Sequence, residues 1–213
     1  MEQLVPMDGG KLSDTLWQVC RWSRDGQPVA ALRVYAGAHR IFHPQSTHTL
    51  TRVNLHPDYF VDRPNGILAD LNNDIAILTV SPPFNYNDHV QPVCLPERNA
   101  RQGDLCYLTG WGYTSWGHGN PTYLQQMRAL VLPDWRCDRL WHYFKSATML
   151  CVIGHGNSDA CLGDSGGPLV CRRADGSWVL QGIFSVYTTR CMGSEDLYTK
   201  VSRYASWINR NAE

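Results

Sequence analysis

Short runs of β-branched and aromatic residues, each closed by glycine, proline or asparagine, constrain this chain more than any other feature. Leu50–Leu55, Ile75–Val80, Ala129–Leu132, Leu169–Cys171 and Trp178–Ser185 are such runs. Runs of this length between turn-forming clusters predict an all-β barrel or sandwich. Asn65-Gly66 and Asp175-Gly176 carry the dipeptide chemistry of hairpin turns. One stretch departs from the pattern: Val201, Tyr204 and Ile208, with neighbouring Trp207, stand at helical spacing. They predict a C-terminal helix that docks through its apolar face.

Composition narrows the function classes. A chain of 213 residues can bury a real core in one or two domains. Its formal net charge is zero, which gives no electrostatic ground for binding nucleic acid or an acidic membrane surface. No apolar run approaches the length of a spanning helix. Residues 1–15 lack the apolar centre of a secretory signal, yet eight cysteines predict an oxidising, extracellular compartment. An incomplete or altered N-terminus reconciles the two. Eight cysteines allow 105 pairings, and the tight C-x-x-C pairs that zinc favours are missing. His39 and His43 are spaced like helical metal ligands, but Gly37 and Pro44 oppose a helix there, so no metal and no cofactor is expected.

The chemistry concentrates in Gly163-Asp164-Ser165-Gly166-Gly167-Pro168. Glycines flanking a serine give the backbone φ freedom and let a substrate approach closely. They also leave consecutive N–H groups able to converge on one spot, as stabilising an oxyanion requires. Ser165 is therefore the candidate nucleophile. The same residues satisfy the G-x-S-x-G nucleophile elbow, but that arrangement needs a helix after the serine and a histidine further on. The last histidine, His155, precedes Ser165, and strand-like residues follow it.

With these residues in view, the chain resembles the trypsin and chymotrypsin family of serine endopeptidases. Asn72-Asn73-Asp74-Ile75-Ala76-Ile77-Leu78 resembles the segment carrying the triad aspartate, which assigns that role to Asp74. Gln91-Pro92-Val93-Cys94-Leu95-Pro96 is similar to the stretch between the two barrels, and Leu108-Thr109-Gly110-Trp111-Gly112 to the start of the second. Asp196-Leu197-Tyr198-Thr199-Lys200-Val201, followed by Trp207-Ile208, resembles the family's ending. The implied fold is all-β, a chymotrypsin-like double six-stranded β-barrel with a C-terminal helix and an incomplete first barrel. The expected organisation is a divergent N-terminus over 1–30, a truncated first barrel over 31–93 and a second barrel over 94–213, one peptidase domain overall. The implied disulfides are Cys106–Cys171, Cys137–Cys151 and Cys161–Cys191, leaving Cys20 and Cys94 as a remaining pair.

The chain also departs from the family. The Ala-Ala-His-Cys segment that carries the general base is absent. Trp17-Gln18-Val19 and Ser23 to Gly26 resemble the first strand and its loop, and Leu32 to Gly37 resembles the strand beyond the histidine. Only Gln27 to Ala31 stands between them, which reads as a block deletion. His39, His43, His48 and His56 precede Asp74 and qualify as substitutes by chain order alone.

The resemblance assigns the oxyanion hole to the N–H groups of Gly163 and Ser165. It places Asp159, six positions before the nucleophile, at the base of the specificity pocket, where a carboxylate favours Arg or Lys. Ser185, Tyr187 and Asp196 fall in the pocket walls; Tyr187 and Asp196 replace the family's usual residues and narrow the pocket. Asp164 lacks an evident ammonium partner in the sequence, which implies a zymogen-like, half-formed hole. The expected partners are polypeptide substrates or protein inhibitors, with the chain a secreted monomer that binds neither nucleic acid nor membrane. The implied function is a serine-type endopeptidase working through an acyl-enzyme on Ser165, inactive or very weak here, as a truncated isoform or pseudoprotease. The alternative is a non-catalytic homologue acting as a binding or regulatory protein.

Overall fold

The computed structural model describes residues 5–6, 15–18, 32–64, 69–114, 119–156, 160–186, 193 and 195–212. Eight strands precede the middle of the chain: β1 (Val5–Pro6), β2 (Thr15–Gln18), β3 (Arg33–Ala36), β4 (Ser46–Leu55), β5 (Phe60–Asp62), β6 (Asp70–Asn72), β7 (Ala76–Ser81) and β8 (Pro92–Val93). Among the described residues β2, β7, β4 and β3 form an open four-stranded sheet in that order. β5 and β6 pair as a separate hairpin, in register Phe60↔Asn72 and Asp62↔Asp70. The Asn65-Gly66 turn expected between them lies outside the described residues.

β7 explains how this half joins the rest. Side chains alternate across a strand, yet both faces of β7 are apolar. Leu78 and Val80 face a core of Val34, Ala36, Leu50, Phe84 and Val90. Ile75 and Ile77 face the other way, into a core shared with Val93, Val170, Leu180 and Ile183. The near-continuous burial of β7 is therefore that of a strand covered on both sides.

The second half continues with β9 (Cys106–Gly110), β10 (Gln125–Val131), α1 (Asp134–Leu140), β11 (Met149–Gly154), β12 (Pro168–Arg172), β13 (Trp178–Val186), β14 (Asp196–Lys200) and α2 (Val201–Asn211). Its six strands close into a barrel in the order β10-β11-β14-β13-β12-β9. Inward residues of alternate positions fill it, among them Leu108, Ala129, Leu150, Val152, Leu169, Phe184 and Tyr198. Gly182 is required by close packing, since a Cβ there would sit 3.1 Å from Tyr198 Cβ and 3.3 Å from Leu169 Cβ. The Asp175-Gly176 turn forms as expected, with Gly176 at φ +90° and Arg173 N–H donating to Ser177 O at 2.8 Å.

The helix expected from the C-terminal pattern is α2, which buries Val201, Tyr204 and Ile208. It ties the halves together: the Tyr204 hydroxyl donates to Asn73 Oδ1 at 2.9 Å, and an Arg52 guanidinium nitrogen donates to Asn211 O at 3.0 Å. Burial pushes the Tyr204 hydroxyl pKa up to about 12.

Two disulfides stand as the resemblance implied, Cys106–Cys171 and Cys137–Cys151. The first crosses between neighbours in register on β9 and β12. Cys161 is also oxidised, but Cys191, its expected partner, lies outside the described residues, as does Cys20. Cys94 is a free thiol, and its suggested partner Cys20 is outside the described residues, so the pairing of the two is untested. The backbone of Cys94 holds it against β13, where it accepts from Leu180 N–H and donates to Trp178 O, both at 3.0 Å.

Candidate active site

Asp74 stands in the short connection from β6 to β7 and is held there from several directions. Asn73, at φ +50°, turns the chain sharply, and its side-chain amide donates to Asp58 O at 2.8 Å. The Thr199 hydroxyl donates to Asp74 O at 2.8 Å. The Asp74 carboxylate is 7% exposed and accepts a hydrogen bond from Ser185 Oγ at 2.6 Å. Ser185, expected in the pocket wall, thus directs its hydroxyl onto the candidate triad aspartate.

Ser165 sits in a loop built from tight backbone bonds. Asp164 N–H donates to Cys161 O at 3.0 Å, and Gly167 N–H donates to Asp164 O at 2.7 Å. Gly163 and Gly166 have φ of +100° and +87°, a region that glycine enters without strain. Gly166 N–H donates to Phe184 O, and Phe184 N–H to Gly167 O, both at 2.9 Å. The end of β13 therefore carries both candidates, with Phe184 bonded to the Ser165 loop and Ser185 bonded to Asp74. Among the described residues, neither Gly163 N–H nor Ser165 N–H donates to a backbone acceptor.

Asp164 braces this loop from beneath. Its Oδ1 accepts from Gly112 N–H at 2.8 Å and its Oδ2 from Cys161 N–H at 3.1 Å. Gly110 and Gly112 leave the room its carboxylate occupies. Burial raises the Asp164 pKa above the usual carboxylate value, opposed by those N–H donors. A carboxyl whose folded pKa is raised contributes stability that is fully present below its unfolded pKa and is lost as pH rises through the folded value. Asp164→Asn mimics the protonated form. The variant is therefore expected to gain on the parent as pH is raised from about 3 to 7, read as the difference in urea midpoint. A constant difference across that range would contradict this account.

Of the four upstream histidines, three are engaged elsewhere and His43 is exposed. His48 is 1% exposed; Nδ1 lies 2.6 Å from Pro82 O and Nε2 lies 2.7 Å from Ser46 Oγ. A carbonyl only accepts, so Nδ1 carries a proton and donates to Pro82 O. His56 packs between Tyr204 and Trp207, with ring centroids 5.3 and 5.0 Å away, and its Nδ1 accepts from Asp58 N–H at 3.2 Å. Burial lowers the His56 pKa, opposed by the charge of Asp58. His39 lies against Tyr123, at a centroid distance of 5.5 Å, and His43 is exposed. None of the four hydrogen-bonds Asp74 or Ser165.

Of the expected pocket residues, Asp159 and Tyr187 lie outside the described residues. Asp196 is 2% exposed and pairs with Val152 across β11 and β14. Two features were missed in the sequence, the Ser185 bond to Asp74 and the glycine cradle of Asp164. The Gly-Trp-Gly spacing was a signal for the second, because glycines either side of a bulky residue mark a close approach on one face.

The Trypsin family profile matches residues 24–208. Kallikrein 1-related peptidase b24 of Mus musculus is 32% identical over 213 aligned residues, covering 94% of this chain and 78% of that protein. Ovochymase of Halocynthia roretzi is 37% identical over 174 residues, which are 75% of this chain and 10% of that protein. Atrial natriuretic peptide-converting enzyme of Mus musculus is 34% identical over 191 residues, 84% of this chain and 16% of that protein. This chain therefore spans only a small part of the two longer relatives. The solved structure of neuropsin, a serine protease expressed in the limbic system of mouse brain, superposes with a TM-score of 0.76 at 27% identity, covering 99% of this chain and 87% of that one. The chain belongs to the trypsin family of serine proteases. Among its described residues no helix is long and apolar enough to cross a membrane.

Proposed function

We propose that this protein is a secreted trypsin-family member that retains the nucleophile loop but not the general base, and hydrolyses peptide bonds very slowly if presented with them. In the reaction such a loop serves, the serine hydroxyl attacks a carbonyl carbon and its proton passes to a neighbouring imidazole. The acyl-enzyme that follows is hydrolysed by water. Here Ser165 would attack, Gly163 and Ser165 N–H would receive the oxyanion, and Asp74 would orient a base. The observation that carries the reading is the engagement of His39, His48 and His56 away from both Asp74 and Ser165, together with the missing Ala-Ala-His-Cys segment. Polypeptide substrates or protein inhibitors remain the partners that the family suggests. Secretion is supported by the disulfides and by the eight cysteines.

A fluorophosphonate probe tests this directly, since its capture requires an activated serine. Folded protein is expected to be labelled no faster than Ser165→Ala. Labelling at Ser165 that is lost in His48→Ala or His56→Ala would identify a substitute base and sink the proposal. A second reading, a non-catalytic binding or regulatory protein, is favoured by the closed second barrel, which has its own disulfides and a filled core. Stable association of unlabelled protein with a protease inhibitor, measured by calorimetry, supports that reading; absence of any such complex counts against it.

A further inference from the structure

We propose that the corner where the loop after β3 meets the segment leading into β10 is a docking surface. Its occupant is an acidic stretch of a partner polypeptide that also carries apolar side chains. The chain has 19 acidic residues in 213, yet none stands in residues 26–57 and none in residues 105–133. The fold joins these two acid-free runs. Ile41 N–H donates to Thr122 O and Leu124 N–H to His39 O, both at 2.8 Å, so Arg40 and Tyr123 stand opposite each other across the join. His39, Arg40, Phe42, His43 and Tyr123 are all exposed there. Among the described residues Arg40 has no ion-pair partner. Asp88 lies with Gly37 and Ala38 on the wall of a cleft beside the loop, and it does not pair with Arg40. A carboxylate from outside can therefore take the guanidinium's parallel N–H donors without displacing an internal one.

Phe42 supplies the apolar half of the surface. His43 N–H donates to Arg40 O at 3.0 Å, which closes a four-residue turn over Arg40 to His43. Phe42 is the third residue of that turn, at φ +63°, where type II turns place glycine. A bulky side chain is strained in that conformation, and this one is 79% exposed. Neither the strain nor the exposed ring benefits the chain on its own, and strain of this kind gathers at sites that bind. Next to it Tyr123 is 54% exposed, with its ring against that of His39. One arginine between two exposed rings fits a peptide that alternates acidic and apolar side chains better than it fits a uniformly charged polymer. The surface does not involve Ser165, so it stands or falls apart from the function proposed above.

The probe is an N-acetylated octapeptide amide of alternating glutamate and leucine, titrated by calorimetry. Saturable one-to-one binding is expected, and added salt is expected to weaken it. Arg40→Gln is expected to weaken binding about tenfold, the value of one hydrogen bond to a charged group. Phe42→Gly removes the ring and relieves the turn. It is expected to weaken binding about tenfold while its urea midpoint stays no lower than the parent's. Replacing leucine by glycine in the probe is expected to cost about as much as losing the ring. Arg210→Gln, which removes an equal charge from exposed α2, is expected to change nothing. Methyl spectra of the parent give a reading that no variant can confuse: the probe is expected to shift Ile41 and to leave Ile208 in place. Unsaturable binding, unaltered affinity in Arg40→Gln, a destabilised Phe42→Gly or an unmoved Ile41 would each overturn the assignment. So would equal binding of a heparin octasaccharide or of phosphatidylserine vesicles, which would make the corner a general anion surface.

Discussion

Peptide hydrolysis by this protein, with the general base lost as proposed, is expected to run about 10⁶-fold below that of a trypsin-family relative whose serine has its histidine, the penalty that loss of the histidine carries in subtilisin. In barrier terms that is about 8 kcal/mol, at 1.36 kcal/mol for each decade. The sharper form of the expectation concerns Ser165 itself. Members of a triad act as a unit, so once the base is gone the nucleophile has little left to contribute. Ser165→Ala is therefore expected to leave the residual kcat within about twofold, where in an intact triad it would be ruinous. The measurement is hydrolysis of an arginyl and a leucyl peptide amide by parent and variant, with the same preparation tested for a trace contaminating protease by a tight inhibitor. A tenfold or greater fall in Ser165→Ala would mean that some imidazole reaches the serine after all. His56 is then the first to examine, because its backbone N–H is bonded to Ile75 O, one residue beyond Asp74. His48 is the poorer choice, with both ring nitrogens occupied inside the first sheet.

Legibility of the fold and the site followed the range of the interactions involved. Strands whose signal is local, such as β7 and β13, were readable from their apolar runs, and the alternation on α2 named its three buried residues. The hairpin at Asp175-Gly176 was readable because its chemistry lies in two neighbouring side chains. Cys106–Cys171 followed only from likeness to a family, since nothing local distinguishes it among 105 pairings. Partnership of Ser185 with Asp74 was not readable, for 111 residues separate them and a serine in a strand has no distinctive pattern. The position of Cys94 was not readable for a similar reason: the backbone bonds to Trp178 and Leu180 set it, and its thiol has no part in them. His48 shows the limit most plainly. Chain order admits it as a base, while its burial against Phe84, with a ring-centroid distance of 4.5 Å, makes it a core residue.

Gly112→Ala is expected to destabilise the protein by about 4 kcal/mol, combining overpacking with the loss of charged hydrogen bonds. A Cβ on Gly112 would fall inside the envelope of the Asp164 carboxylate, against Oδ2 and Cγ. The carboxylate has no easy retreat, because Gly110 closes on it from two residues away and a Cβ there would meet Oδ1. Either Gly112 N–H moves off Asp164 Oδ1 or the carboxylate leaves Cys161 N–H, and a desolvated acid then loses a donor it needs. For a chain of this size 4 kcal/mol corresponds to a fall in Tm of about 8–16 °C, read by differential scanning calorimetry. The effect should also reach Ser165, since Asp164 O accepts from Gly167 N–H and fixes the loop between them. Asp164→Ala in the same background separates the two contributions. With the carboxylate gone the added methyl has space, so Gly112→Ala is expected to cost much less there, a coupling of about 2 kcal/mol or more. Additive losses would show that the glycine matters for its backbone alone and that the cradle is not what holds the loop.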